Sequence, residues 1–265
     1  MNPSGKVVVV TGAGSGMGRE VALELLRRGA TVAAVDMNEA SLADTVTLAG
    51  PGATISTHVV NITDQAAVEA LPAEVSARHG AVDGLVHCAG IIQPFVKLAD
   101  LTYEQIDRVM NVNFRGTLYL TKTFLPVFKA RPEAHIVNIS SMGGFLPVPG
   151  QTIYGASKAA VKLMTEGLHS ELAGTSVHVT VVFPGGVATN ITQNSGVAMP
   201  NMPSGGKQPK MTTAPAAAHQ IVEGMAKNKY RVLVGSDAAM MDKLCRLAPG
   251  FAAGFIAKQM RALLG

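Results

Sequence analysis

Seven short runs of apolar, mostly β-branched residues punctuate this chain: "KVVVVTG" (6–12), "TVAAVDM" (31–37), "TISTHVV" (54–60), "GLVHCAG" (84–90), "AHIVNISS" (134–141), "VHVTVVFPG" (177–185) and "RVLVG" (231–235). Most are apolar at nearly every position rather than at alternate ones. That marks strands buried on both faces, hence a mostly parallel sheet. Parallel neighbours need long crossovers. Helical patterns at 16–28, 39–49, 64–79, 103–129, 153–173 and 214–228 supply them. The alternation predicts an α/β, doubly wound sheet with helices on both faces.

Composition removes several other classes. With 48% hydrophobic and 15% charged residues there is ample material for a core, which excludes a disordered chain. The net charge of +4 is scattered and forms no basic stripe, so no nucleic-acid partner is expected. Cys88 and Cys245 are too few for a disulfide framework and lie in no metal-ligand spacing; no metal is expected. The start of the chain lacks a signal-peptide pattern and no run approaches a membrane span, so the expected location is cytoplasmic. No composition break or internal repeat divides residues 1–265, which read as one domain.

The first strand runs into "TGAGSGMG" (11–18) and then a helix. Glycines there permit a tight turn and close approach of the backbone to a pyrophosphate, and the helix offers unpaired N–H groups and a partial positive charge. Asp36 ends the second strand, 24 residues after Gly12. An acidic residue at that place hydrogen-bonds the adenine ribose hydroxyls and repels a 2′-phosphate. No Arg or Lys lies between Thr11 and Met17 or from Asp36 to Glu39. The expected cofactor is therefore NAD. In "YGASK" (154–158), Tyr154 and Lys158 are four apart, so a helix brings both to one face with only small residues between them.

With these motifs the chain resembles the short-chain dehydrogenases/reductases of the compact, single-domain branch, from about Lys6 to Val234. The glycine spacing of residues 11–18 is that family's. "NVNFRG" (111–116) matches the helix carrying its Asn, here Asn113; "NISS" (138–141) its serine, Ser141, 13 residues before Tyr154; and "PGGVAT" (184–189) the turn that cradles the nicotinamide. The resemblance implies a Rossmann-type three-layer sandwich around a seven-stranded parallel sheet. It implies catalysis by Asn113, Ser141, Tyr154 and Lys158. The implied cofactor contacts are Gly12, Ser15, Gly16, Met17, Gly18, Asp36, Met37, Asn61, Ile62, Ala89, Gly90, Tyr154, Lys158, Pro184, Gly185, Val187 and Thr189. Tyr154 would pass a proton to or from the substrate oxygen. A free phenol has a pKa of about 10, and the Lys158 ammonium would favour its ionised form. Lys158 would also hold the nicotinamide ribose, Ser141 the substrate oxygen, and Asn113 a water linking Lys158 to solvent. The expected function is NAD(H)-dependent interconversion of a secondary alcohol and a ketone or aldehyde. The alternatives are a nucleotide-sensing or scaffolding protein without turnover and a sugar-nucleotide epimerase, for which the chain is short. The long helices at 103–129 and 153–173 would pair copies into a homodimer or homotetramer.

Two departures stand out. "HCAG" (87–90) replaces the family's NNAG, which makes His87 a structural substitute and Cys88 a small buried filler. Asn61 replaces an Asp near the adenine amine and keeps an acceptor oxygen.

Two segments fall outside the alternation. Residues 190–212 are rich in Gly, Pro, Asn and Ser and read as a substrate loop, with Val197, Met199, Met202 and Met211 and the pair Lys207 and Lys210. The tail, 240–265, reads as two amphipathic helical pieces broken near Pro249–Gly250. Phe251, Phe255, Ile256, Met260, Leu263 and Leu264 would share one side, with Lys258 and Arg261 outside it. That side packs on the protein or a partner subunit, or else rests on a membrane surface. Phe145, Leu146 and Val148 before Tyr154, and Ile91, Ile92 and Phe95 after Gly90, complete a mainly apolar substrate pocket.

Overall fold

A computed structural model describes residues 1–197 and 211–260. The seven apolar runs form one parallel sheet. Its strands are β1 (Val7–Thr11), β2 (Thr31–Asp36), β3 (Ile55–Val59), β4 (Gly84–His87), β5 (Ala134–Ile139), β6 (Val177–Pro184) and β9 (Arg231–Val234). Their order is β3-β2-β1-β4-β5-β6-β9, and a separate short pair joins β7 (Val187–Ala188) to β8 (Thr212–Thr213). The fold is the Rossmann-type sandwich. The chain winds one way from β1 to β3 and the other way from β4 onward. A crevice therefore opens at the carboxyl ends of β1 and β4, where the order reverses. The reading of strands as buried on both faces holds at the centre and fails at the edge, where Val59 of β3 is exposed.

Each face of the sheet buries its own core. On one, Val8, Val10, Ala34 and Val137 meet Val21 and Leu25 of α1 (Gly16–Arg27), Leu42 of α2 (Glu39–Ala49) and Ile221 of α8 (Ala214–Ala226). On the other, Val9, Val35, Leu85 and Ile136 meet Leu71 of α3 (Gln65–His79), Phe124 and Phe128 of α5 (Gly116–Lys129) and Leu168 of α6 (Thr152–Glu171). Truncating a fully buried phenylalanine such as Phe124 to alanine costs about 3–5 kcal/mol. Helix starts follow local chemistry: the side chains of Asn38, Asp64, Thr102 and Thr213 accept from backbone N–H groups of α2, α3, α4 (Tyr103–Met110) and α8.

The stretch 103–129, read as one helix, is interrupted. A π-helical turn over Asn111–Arg115 joins α4 to α5 and carries Asn113. Such turns widen the helix locally and re-aim a side chain, often at functional sites.

A third, smaller cluster sits past the strand ends. Met142, Phe145, Leu146 and Val148 pack on Met241 and Leu244 of α9 (Ser236–Leu247) and on Ala252 and Ile256 of α10 (Pro249–Met260). The tail is thus two helices with their break at Ala248. Its apolar residues do not share one side: Ile256 packs inward, whereas Phe251 is 66% exposed and stacks on Phe255. The segment read as a loop is partly regular, with β7, α7 (Ile191–Ser195) and β8 bounding it. Met199, Met202, Lys207, Lys210, Arg261, Leu263 and Leu264 lie outside the described residues. Among the described residues no helix is long and apolar enough to cross a membrane.

Candidate active site

The glycine turn closes on the strand beside it. Gly12 has φ +68°, and a Cβ there would sit 2.9 Å from the Ala89 nitrogen at the end of β4. A Cβ on Gly18 would overlap the Gly12 carbonyl, so α1 starts directly under the turn. Gly16 also has positive φ, +50°, and lies against Thr189. Ser15, at the N-cap of α1, spends no side-chain bond on its own helix; its Oγ accepts from Asn194 Nδ2 of α7 at 2.7 Å. Met17 is half-buried against the core of that face.

At the end of β2, Asp36 accepts from the Gly14 nitrogen (3.0 Å) and the Asn38 nitrogen (3.1 Å), which places its carboxylate at the edge of the glycine turn. Met37 beside it is exposed. Arg19, two residues beyond Met17 in sequence, also reaches this corner. Its guanidinium donates to the Gly14 and Ser41 carbonyls and to Thr45 Oγ1, and it lies 3.5 Å from Asp44. Ile62 is buried under Gly116. Asn61 differs from expectation: its Oδ1 accepts from both the nitrogen and Oγ1 of Thr63, so the acceptor is spent within its own turn and Nδ2 remains.

Across the crevice the four expected catalytic residues come together. A Cβ on Gly90 would sit 3.2 Å from both Asn113 Oδ1 and Lys158 Nζ; one on Gly143 would sit 3.4 Å from the Tyr154 ring and 3.5 Å from Ser141 Oγ. Ser141 Oγ accepts from the Gly143 nitrogen (3.0 Å), which leaves its own O–H to donate. Lys158, 4% exposed, donates to the Ile139 carbonyl at 3.0 Å. Burial brings its pKa down to about 8. Burial also raises the Tyr154 phenol above its ordinary value, opposed by a hydrogen bond from Ser141. The Lys158 ammonium reaches the end of β5, and its charge also bears on His87 and Cys88. Asn113 is tied to its neighbours through its side chain. Its amide clamps Ile91 from both sides (2.9 Å to each backbone group) and donates to Ser157 Oγ at 3.0 Å.

The unusual pair behaves structurally. His87 Nδ1 bonds Thr11 Oγ1 at 2.7 Å, Thr11 in turn accepts from the Ala89 nitrogen, and burial takes the His87 pKa down to about 3. A neutral imidazole thus braces β4 against β1 where the amide is missing. Burial raises the Cys88 thiol to about 12, which removes it as a nucleophile.

The turn after β6 is held from an unforeseen side. Pro184 ends the strand, Gly185 donates to the Val234 carbonyl, and Gly186 donates to Asp237 Oδ2 at 2.7 Å. Any side chain at Gly185 would collide with that carboxylate. Val187 pairs with Thr212, which sets Thr189 beside Gly16. Asp237, Arg19 and Gln93 belong to no motif in the sequence, and Ser140, whose Oγ donates to the Lys158 carbonyl at 2.7 Å, precedes Ser141 within its motif. For Asp237 the flanking glycines at 185, 186 and 235 were the available signal.

A family profile described as "short chain dehydrogenase" matches residues 6–199. The chain belongs to the short-chain dehydrogenase/reductase family. A Mycobacterium tuberculosis protein named "Putative oxidoreductase SadH" is 38% identical over 256 residues, covering 92% of this chain and 91% of that one. A short-chain dehydrogenase/reductase from Burkholderia phymatum, solved in complex with NAD, superposes with a TM-score of 0.80 at 27% identity over 93% of this chain and 96% of its own. One from Burkholderia cenocepacia, solved with NADP, gives 0.80 at 26% over 97% and 99%. Membership makes the chain an oxidoreductase of the NAD(P)-binding kind; the two neighbours divide on the cofactor.

Proposed function

We propose that the chain is an NAD(H)-dependent oxidoreductase that interconverts a secondary alcohol and a ketone or aldehyde. The observation that carries this reading is the convergence of Asn113, Lys158, Ser141 and Tyr154 on the two side-chain-free spaces at Gly90 and Gly143. The crevice fits a dinucleotide: Gly12 and Gly18 admit no side chain, and the turn leads into a helix N-terminus. Asp36 at the turn's edge favours ribose hydroxyls over a 2′-phosphate, and Arg19, tied to Gly14, Ser41, Thr45 and Asp44, is committed within the protein. When bound, the nicotinamide cofactor supplies or accepts the hydride.

The chain's own groups do the rest. The Ser141 O–H donates to the substrate oxygen and holds it beside Tyr154. The buried phenol keeps its proton near neutrality and gives it to that oxygen in reduction, or takes it back in oxidation. Lys158 spends one N–H on Ile139 and has two for ribose hydroxyls. The wall of Phe145, Leu146 and Val148 against the tail favours a mainly apolar substrate. The protein works as a homodimer or homotetramer in the cytoplasm. The test is kcat/KM with NADH and NADPH over a panel of ketones graded in apolar size. NADH is expected to win, with kcat/KM rising with size. Preference for NADPH would refute the Asp36 reading; binding of NADH without turnover on any carbonyl would favour a nucleotide sensor.

A further inference from the structure

Three successive residues after Gly90 are each fastened to a different element. Ile91 is clamped by Asn113, the Ile92 nitrogen donates to Ser195 Oγ of α7 at 3.0 Å, and Gln93 reaches the start of α6. Gln93 is 1% exposed. Its Oε1 accepts from the backbone nitrogens of Ile153 (2.8 Å) and Tyr154 (2.9 Å), and its Nε2 donates to the Gly150 carbonyl at 3.0 Å. Gln151 returns a bond from its Nε2 to the Gln93 carbonyl.

This arrangement is unlike the starts of α2, α3, α4 and α8, whose N-cap residues supply the acceptor themselves. The N-cap of α6, Gln151, makes no such bond; the acceptor comes from 61 residues earlier in the chain. The first turn of a helix has N–H groups with no partner of their own. Here one of them belongs to Tyr154. The Tyr154 carbonyl is held too: Ser157 Oγ donates to it at 2.7 Å and accepts from Asn113 Nδ2. Hydrogen bonds through Asn113, Ser157, Tyr154 and Gln93, closed by the backbone from Ile91 to Gln93, therefore grip the Tyr154 backbone at both ends.

We propose that Gln93 is a positioning residue for Tyr154: its amide oxygen sets where the first turn of α6, and with it the phenol, stands relative to Ser141 and Lys158. The inference rests on the proposed function for the use of that position, but not for its existence. A Gln at 93 puts a neutral acceptor and a donor on one planar group, which the two N–H groups and the Gly150 carbonyl both require. An apolar side chain of the same length would take the partner from all three groups, the buried Gly150 carbonyl and the part-buried Ile153 and Tyr154 N–H groups.

The test is Gln93→Met in the full chain, labelled at the tyrosine ring carbon Cζ, with Tyr154→Phe used to assign the Tyr154 resonance. The expected result is a displaced Tyr154 resonance with Tyr103, Tyr119 and Tyr230 unmoved. A fall in kcat of about 10–100-fold should accompany it, because small misplacements of a reacting group cost that much. The NADH Kd should stay within about twofold, since binding is spread over other groups. Should the Met variant not fold, Gln93→Asn draws the same oxygen back by one methylene and should displace the resonance less, in company with a smaller fall in kcat. A Tyr154 resonance that stays in place in a folded variant overturns the proposal, whatever happens to kcat. If the wild-type protein reduces no carbonyl at all, the proposed function fails, and the resonance alone still decides the role of Gln93.

Discussion

The strand-end crevice and the apolar wall flank the same tyrosine, yet opposite requirements shape them. At the crevice, space is made by leaving side chains out: Gly12 faces Ala89, Gly18 faces Gly12, and Gly90 faces Asn113 and Lys158. At the wall, space is bounded by filling it, with Met142, Phe145, Leu146 and Val148 against Met241, Leu244, Ala252 and Ile256. A missing Cβ is an exacting local condition, and only glycine meets it. A packed wall accepts many apolar combinations of about the right volume. Substitutions should therefore be nearly all-or-none on the first side and graded on the second.

The largest expected effect is at Gly12. Gly12→Val puts a branched side chain into the end of β4 at a positive φ, and NADH binding should weaken by about 100-fold or more if the protein folds, measured by fluorescence titration. Binding kept within a few-fold would break the contrast. Next is Lys158, buried where its charge is costly. Its folded pKa, about 8, lies below the ordinary 10.5, so between these values the unfolded chain binds more protons and stability rises with pH. The penalty is full below about pH 8 and fades by about pH 10.5. Lys158→Met should therefore raise stability at pH 7 by roughly 1–3 kcal/mol, lose that gain towards pH 10.5, and have little activity. Denaturant unfolding across that range checks it, and a variant less stable at neutral pH would contradict it. The smallest effect is at the wall. Ile256→Ala, on a half-buried side chain, should cost about 1 kcal/mol and raise KM for the larger ketones several-fold while leaving NADH binding alone. An equal loss of cofactor affinity would show that the two regions are not separate.

The same contrast explains what was legible in the sequence. The seven strands and the glycine turn could be read because their requirements are local: continuous apolar runs, and glycines at fixed offsets. The fastening of the site could not. Asp237 holds Gly186 from 51 residues away, Gln93 holds Tyr154 from 61, and Asn194 reaches Ser15 from 179. No spacing rule joins such pairs, because the fold brings them together. The π-turn at Asn113 was hidden for another reason: the helical pattern of 103–129 runs straight through it. Lys158 was expected beside the phenol because i and i+4 share a helix face. The Ile139 carbonyl at the end of β5, which no helical wheel includes, anchors its ammonium as well.

The proposed function makes Tyr154 the proton-transfer group of a site whose nucleotide is held mainly by other residues. Steady-state turnover of Tyr154→Phe, with NADH titration of the same preparation, bears on it most directly. The expected result is a kcat lower by about 10²–10⁴-fold with NADH affinity nearly unchanged, because in the proposed mechanism the phenol O–H moves the proton while the glycine turn and Asp36 hold the nucleotide. Turnover retained in the phenylalanine variant would contradict it.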